Sequence, residues 1–498
     1  MKKTILTMAF LVAIPAAARP QQAPATLSLE QAIELAREHN PEYRARLNDE
    51  GVADWDVRSA YAAFLPTASV SGGMSYQSGG QSRFGSFTTS DIGITSTPDY
   101  YFSSYSVDVG LRVSGEDFYR IGQQKAARRA VLAGMDAAST TLEATVTRQY
   151  LAALRARDAV ELARQELERA EANLSLAEAR YAVRATTVIE PRQAEVERGR
   201  AEVALLRAEA GYDTGRLRLL QQIGLDLDRD LELTTEVRVF EPQWDLSSLR
   251  AVASASQPDL VAARASTESA EAGIGIARSA FWPSLSISTG LSGFTRRAGS
   301  DQFLIDQARQ SVDGERRNCV ATNELLRRLN PPMPPQDCSQ ILFTEQMHQD
   351  IVASNRQFPF DFDREPFSVS LGLSLPIFQG LTRQRQLEAA HAQAEDTRLQ
   401  ARAEELRIHA DVETAYLNLE TAYRAAILED RNRGVADDQL RLARERYRVG
   451  SASFIELLEA ETLKARADRD YLLGVYDFQE ALTALEAAVG QRLAVPEN

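Results

Sequence analysis

The chain has 498 residues, of which 25% are charged, with a formal net charge of −14 and only two cysteines. Such an acidic balance excludes the basic surface that nucleic-acid binding needs, and arginine pairs such as Arg128-Arg129 and Arg316-Arg317 sit among acids, as on solvated faces. Beyond the N-terminus no apolar run reaches the roughly 18 residues of a membrane helix, which leaves a β-barrel open, because barrel strands alternate and give almost no hydropathy signal.

Residues 1–18 read as a signal peptide: Met1-Lys2-Lys3, an apolar run from about Thr4 to Ile14, and Pro15-Ala16-Ala17-Ala18 before an expected cut after Ala18. No cysteine lies near that cut to carry a lipid. An exported protein is expected, held in its membrane by something other than an anchor.

The rest of the chain is written twice. Asn40-Pro41 opens a helical stretch that ends at Leu65-Pro66, and Gln257-Pro258 opens its counterpart, ending at Trp282-Pro283. Farther on, Tyr150 answers Tyr416, Tyr181 answers Tyr447 and Gly224 answers Gly490, all at an offset of 266 (416 − 150). The first copy is expected over 27–224, with strands at about 67–77 and 104–114 and long helices over about 118–222. A linker covers 225–245. The second copy covers 246–490, with strands at about 284–293 and 367–377, an insertion at about 298–365 and long helices over about 382–489.

The four strand candidates alternate with period two. Ser69, Ser71 and Gly73 interleave with Val70 and Met74, and Ser368, Ser370 and Gly372 interleave with Val369, Leu371 and Leu373. The small polar face suits a water-filled lumen, the apolar face suits lipid, and roughly ten residues cross a bilayer when tilted. A soluble sheet with one wet face has the same pattern; the export signal favours the membrane. Four strands cannot close a barrel, and lipid tolerates no open sheet edge. Copies of the chain must pool strands, about 8 from two copies or about 12 from three.

From Phe118 to about Tyr181, and from Thr382 to Tyr447, strong helix formers run without proline. Each run is on the order of 95 Å long as a helix. Spacings such as Leu440, Ala443 and Tyr447 imply coiled-coil packing. Because each long helix follows a strand directly, the helices extend the barrel, into the periplasm.

Cys319 and Cys338 share a polar stretch with Pro331-Pro332-Met333-Pro334-Pro335. A lone nearby pair in an exported protein is expected to form one disulfide. His39, His348, His391 and His409 are dispersed, and Gly273-x-Gly275 lacks the third glycine of a dinucleotide site. No catalytic constellation, cofactor or metal is expected, and an enzyme is the last of the readings, because no plausible site is found.

With these parts in order, the sequence resembles the TolC-like outer-membrane efflux proteins. The resemblance rests on Leu29-x-x-Ala32, Asn40-Pro41, Leu65-Pro66, Trp282-Pro283 and Leu375-Pro376-Ile377-Phe378-x-Gly380. Its strongest part is Arg446-Tyr447-x-x-Gly450 followed by Ile455-Glu456-Leu457-Leu458-Glu459-Ala460. It implies a homotrimer with a 12-stranded barrel in the outer membrane and a helical tunnel closed at its periplasmic tip. It also implies docking to a periplasmic adaptor protein and an inner-membrane pump. Glu456 and Glu459 match the family's acidic constriction, so the resemblance makes them the gate, as two rings of three carboxylates that select cations. Acids at a helix start that merely suit the dipole are the plain alternative. By the same resemblance the adaptor contact is the tip, Arg446, Tyr447, Val449, Gly450, Ser451 and Ala452, with Arg184 and Ala185 in the first copy. There Arg184 replaces Gly450 and Pro191 replaces Leu457, so a differently shaped first tip is expected.

The expected function is a passive exit duct for small toxic compounds. A duct for secreted polypeptides is the alternative in the same class, and a non-conducting coiled-coil scaffold of the envelope is the alternative from another.

Overall fold

A computed structural model describes residues 26–80, 83–84, 86–88, 98–226, 231–330 and 333–494. The expected signal peptide, residues 1–18, lies outside the described residues, as do Pro331 and Pro332. The chain divides into two compact units, one of residues 59–119 with 276–384, the other of the remainder.

The smaller unit is built on an antiparallel sheet. After a short pairing segment, β1 (Thr26–Leu27), come the first long strand β2 (Thr67–Gln77), a two-residue ladder of β3 (Arg83–Phe84) and β4 (Phe87–Thr88), and β5 (Tyr100–Val113). The second copy supplies β7 (Ser284–Ala298), the short β8 (Asp363–Arg364) and β9 (Ser368–Ser374). The order is β2-β5-β7, with β8 and β9 both on the far side of β7. Relative to the sequence expectation, β5 begins four residues earlier, β7 runs five residues longer and β9 is shorter.

The register decides which residues share a face, since directly opposed residues of an antiparallel pair point the same way. Ser71 faces Ser106, with hydroxyls 2.8 Å apart, and Ser288 faces Ser370 at 2.6 Å. These sit on the small polar face with Asp108 and Arg112. On the other face Val70, Val107 and Leu291 form one row, and Leu111, Ile287 and Leu371 another. Val70 is 78% exposed and Leu371 71%, so this apolar surface has no cover among the described residues. The outer edges of β2 and β9 are unpaired among the described residues.

Aromatic rings gather at both ends of the strands. Phe64 meets Phe118 and Tyr119 meets Trp282 at one end. Tyr76 meets Tyr101 at the other. Between these ends β2 runs from Thr67 to Tyr76, 9 residues along (76 − 67), roughly 30 Å of extended strand, which a tilt near 45° reduces to about 21 Å.

The insertion folds as helix α7 (Asp301–Arg328), a 3-10 turn (Cys338–Gln340) and α8 (Glu345–Asn355). Ile305, Val312 and Cys319 recur every seven residues along the buried stripe of α7. Cys319 and Cys338 are disulfide-bonded, with Cα atoms 5.9 Å apart. Buried Asn355 ties the insertion to the sheet: its Oδ1 accepts from the Ala298 N–H at 2.6 Å and its Nδ2 donates to the Ala298 carbonyl at 3.0 Å.

The larger unit holds helices and their repeat symmetry. In the first copy α1 (Leu29–His39) starts on a capping box at Ser28, α2 (Pro41–Ala62) follows, and then come α3 (Gly115–Ala182) and α4 (Ile189–Ile223). The second has α5 (Leu246–Ser256), α6 (Pro258–Ser279), α9 (Thr382–Arg448) and α10 (Phe454–Val489). With 68 and 67 residues, α3 and α9 are each about 100 Å long. Leu142, Val146, Tyr150 and Leu154 make a buried stripe with Ile33 and Leu219. Ile408, Val412, Ala415 and Leu419 make its counterpart with Leu249 and Leu485. Segments β1 and β6 (Glu232–Leu233) pair in parallel, and the Tyr150 hydroxyl donates to the Leu27 carbonyl at 2.7 Å.

One glycine in each copy holds the return helix against that copy's first helix pair. Gly224 (φ 87°) ends α4 and Gly490 (φ 84°) ends α10. A Cβ on Gly224 would stand 2.5 Å from the His39 carbonyl oxygen, and one on Gly490 2.9 Å from Pro258 Cδ. The turn and the close approach both require glycine.

Candidate gate at the helical hairpin tips

The turns between α3 and α4 and between α9 and α10 are the candidate site. Contrary to the expectation of a differently shaped first tip, they share one backbone design. Arg184 N–H donates to the Tyr181 carbonyl (2.9 Å) and Ala185 N–H to that of Arg180 (2.9 Å). Gly450 N–H donates to Tyr447 (3.0 Å) and Ser451 N–H to Arg446 (2.8 Å). Arg184 takes φ 60° where Gly450 takes 79°. The i-to-i−5 closure demands a left-handed residue, so the arginine adopts it.

The helix starts after the turns differ. Ser453 caps α10, its hydroxyl accepting from the Glu456 N–H at 3.2 Å. In α4 no side chain caps the start, and Pro191 occupies the first turn, where no N–H is required. Leu457, its counterpart, is buried.

Glu456 and Glu459 are both exposed and stand one turn apart on one side of α10. They line an open groove with Leu442, Arg446, Leu463 and Arg466. Glu456 lies 3.5 Å from Arg446, while Glu459 has no ion-pair partner among the described residues. At the apex Arg184, Ala185, Val449, Gly450 and Ser451 are exposed and Ala452 is half-buried.

Tyr447 departs from its expected role. It is fully buried, so its side chain offers no surface to an adaptor. Its hydroxyl donates to Glu190 Oε2 at 2.9 Å, and Arg180 donates to its carbonyl while stacking 4.3 Å above its ring. Burial, and then the bond to Glu190, pushes the phenol up to about 12. Around it Ala177, Ala194, Leu440, Phe454 and Leu457 form a small core. The two hairpins are therefore fastened to each other by an arginine–tyrosine–glutamate clasp.

Neither Arg180 nor Glu190 is among the site residues expected from the sequence, where they mark only the repeat and the start of a return helix. The offset of 266 holds the signal, since it maps Arg446 onto Arg180 and Glu456 onto Glu190. Asymmetry hid it: Tyr181, the counterpart of Tyr447, is 48% exposed.

A second tie lies two turns along α10. Glu461 accepts from Arg444 at 2.7 and 3.1 Å and from Asn173 at 3.1 Å. Nearby, burial raises the Glu166 carboxyl above its ordinary range, with Arg469 and Arg169 opposing. Among the described residues no group of three or more His, Cys, Asp or Glu side chains is arranged to hold a metal ion, and no helix is long and apolar enough to cross a membrane.

This paired architecture matches a known sequence family, Outer membrane efflux protein, over residues 32–225 and 349–491. The chain belongs to the outer membrane efflux protein family. That membership places it in the outer membrane. The pyoverdine export outer membrane protein OpmQ of Pseudomonas putida is 29% identical over 196 residues, which span 37% of this chain and 41% of OpmQ. The fold is that of the outer membrane protein VceC of Vibrio cholerae (17% identity, TM-score 0.65, 93% of this chain and 96% of VceC). It is likewise that of the open-state MtrE outer membrane channel of Neisseria gonorrhoeae (20% identity, TM-score 0.64, 93% of this chain and 89% of MtrE). Family and neighbours are channels rather than enzymes. For an outer membrane efflux protein, a sheet of four main strands and the short β8, with an uncovered apolar face and edges unpaired among the described residues, is one chain's share of a barrel.

Proposed function

We propose that this chain is the exit duct of an export assembly, conducting small molecules passively across the outer membrane. The observation that carries the proposal is the sheet: one face small and polar, the other apolar, both edges open. Three copies, each adding four long strands, close a barrel of about 12 strands with the serine face inward. The helices form the periplasmic part, and the hairpin tips its gate. A periplasmic adaptor would dock on the exposed apex, Arg184, Ala185, Val449, Gly450 and Ser451, with an inner-membrane pump supplying the energy.

In the closed state the Arg180–Tyr447–Glu190 clasp binds α9 to α3 and α4. Opening must break it, and it is built from noncovalent bonds alone, so no chemistry is needed at the gate. Three-fold repetition sets Glu456 and Glu459 as two acidic rings at the narrowest point, where carboxylates favour cations over anions.

Reversal potentials in a planar bilayer under a salt gradient test this role. Wild type is expected to prefer cations, and Glu456→Gln/Glu459→Gln to lose most of that preference. Unchanged selectivity in a folded, conducting variant would remove the two glutamates from the gate.

A further inference from the structure

The apolar face of the sheet changes character where it meets the insertion. From the row of Val113 and Leu285 to the row of Val107 and Leu291 it carries no charge. The next row is Tyr105, Gly293 and Arg364; two rows beyond that come Tyr76, Tyr101 and Arg297. Strand parity puts both arginines on the apolar face, while their chain neighbours Arg296 and Asp363 fall on the polar face.

Aromatic rings build this rim outward. The Tyr105 ring lies over Gly293, where a Cβ would stand 2.6 Å from Cε1. Phe362 meets Tyr105 edge-on at 4.9 Å and Phe358 meets Tyr101 at 5.9 Å. Between those two anchors Phe360 is 75% exposed. Arg297 and Arg364 are both exposed, and neither has an ion-pair partner among the described residues. This departs from the long helices, where arginines such as Arg198 and Arg407 pair with an acid one turn away.

An uncharged apolar band gives way to rows in which rings and unpaired guanidinium groups stand side by side, as at the bilayer interface, where aromatic side chains and cations meet the headgroups. Guanidinium matches phosphate with two parallel hydrogen bonds. The two Cα atoms stand about 14 Å apart, four residues along the strand and one strand over. A headgroup phosphorylated at both ends of a disaccharide reaches that far between two long side chains.

We propose that this rim binds a bisphosphorylated glycolipid of the outer leaflet, with Arg297 and Arg364 on its phosphates and Phe360 set into its acyl boundary. The proposal rests on the reading of the sheet as membrane-spanning. It fixes the depth of the barrel and gives the insertion a purpose, since the insertion supplies Phe358, Phe360, Phe362 and Arg364.

The test uses the full chain reconstituted in phosphatidylcholine vesicles, then extracted and titrated with bisphosphorylated lipid A or its dephosphorylated form, with bound lipid counted by native mass spectrometry. Wild type is expected to retain the bisphosphorylated form at least tenfold better. Arg297→Gln/Arg364→Gln should abolish that preference, Arg297→Lys/Arg364→Lys should weaken it several-fold, and Arg296→Gln, on the other face, should leave it intact. Phe360→Ser should weaken both lipids alike. Equal retention of the two lipids by wild type, or the same loss from Arg296→Gln as from the double variant, would overturn the proposal. Wild type that fails to enter vesicles at all would instead overturn the membrane reading.

Discussion

The two hairpin tips have the same backbone and opposite side-chain logic. Both turns close through the same hydrogen bonds on one left-handed residue. The second tip uses glycine at that residue, caps its return helix with Ser453 and buries its tyrosine under Arg180. The first tip strains an arginine, has no side-chain cap and leaves its tyrosine half in water. Duplication thus supplied two equal frames, and divergence made one hairpin the bolt and the other its socket. The socket residues Arg180 and Glu190 are the counterparts of Arg446 and Glu456, which in the second copy pair with each other at 3.5 Å on the wall of an open groove.

The largest expected effect separates the two tyrosines. Tyr447→Ala removes a buried ring and should destabilise the tip by roughly 3–5 kcal/mol, as large aromatic truncations in cores do. Tyr181→Ala should stay within about 0.5 kcal/mol. Thermal unfolding of the two variants, followed by circular dichroism, compares them, and equal losses would erase the distinction between bolt and socket.

Next come the left-handed positions. Gly450→Ala should cost about 1–2 kcal/mol, whereas Arg184→Gly should gain up to about 1 kcal/mol by relieving the strained residue. Denaturant midpoints read both changes. A destabilising Arg184→Gly would mean that the arginine side chain does something at the apex that the turn itself does not reveal.

The helix starts differ least. Ser453→Ala should cost about 1 kcal/mol, while its counterpart Thr187→Ala, with no capping bond to lose, should be nearly silent in the same denaturant titration.

Alkaline titration sharpens the clasp from another side. The Tyr447 phenol is raised from an ordinary value near 10 to about 12. Its contribution is therefore complete below about pH 10 and is lost as the pH rises through about 12. Wild type should loosen over that window, and Tyr447→Phe should show no such step.

The signals that the sequence carried well are those with a period. Serine and glycine alternating with valine and leucine placed the four strands, because one face had to be apolar and the other small. The constant offset between Tyr150 and Tyr416 exposed the repeat and mapped one hairpin onto the other. What stayed hidden depends on pairing across the fold. Glu190 looks like any acid at a helix start, and only the buried Tyr447 hydroxyl gives it a task. The insertion looked like a polar stretch because α7 buries a stripe of one residue in seven, too sparse beside its charges to stand out. The acids at 456 and 459 were legible through resemblance to a family, since nothing in their spacing separates them from ordinary acids at a helix start.

The clasp is what would hold the duct shut. Single-channel conductance of the purified protein in a planar bilayer, wild type against Tyr447→Phe/Arg180→Gln, tests it most directly. Small, cation-selective currents from wild type that grow several-fold in the variant are the predicted result. No current from either well-folded protein, or identical currents from both, would contradict it.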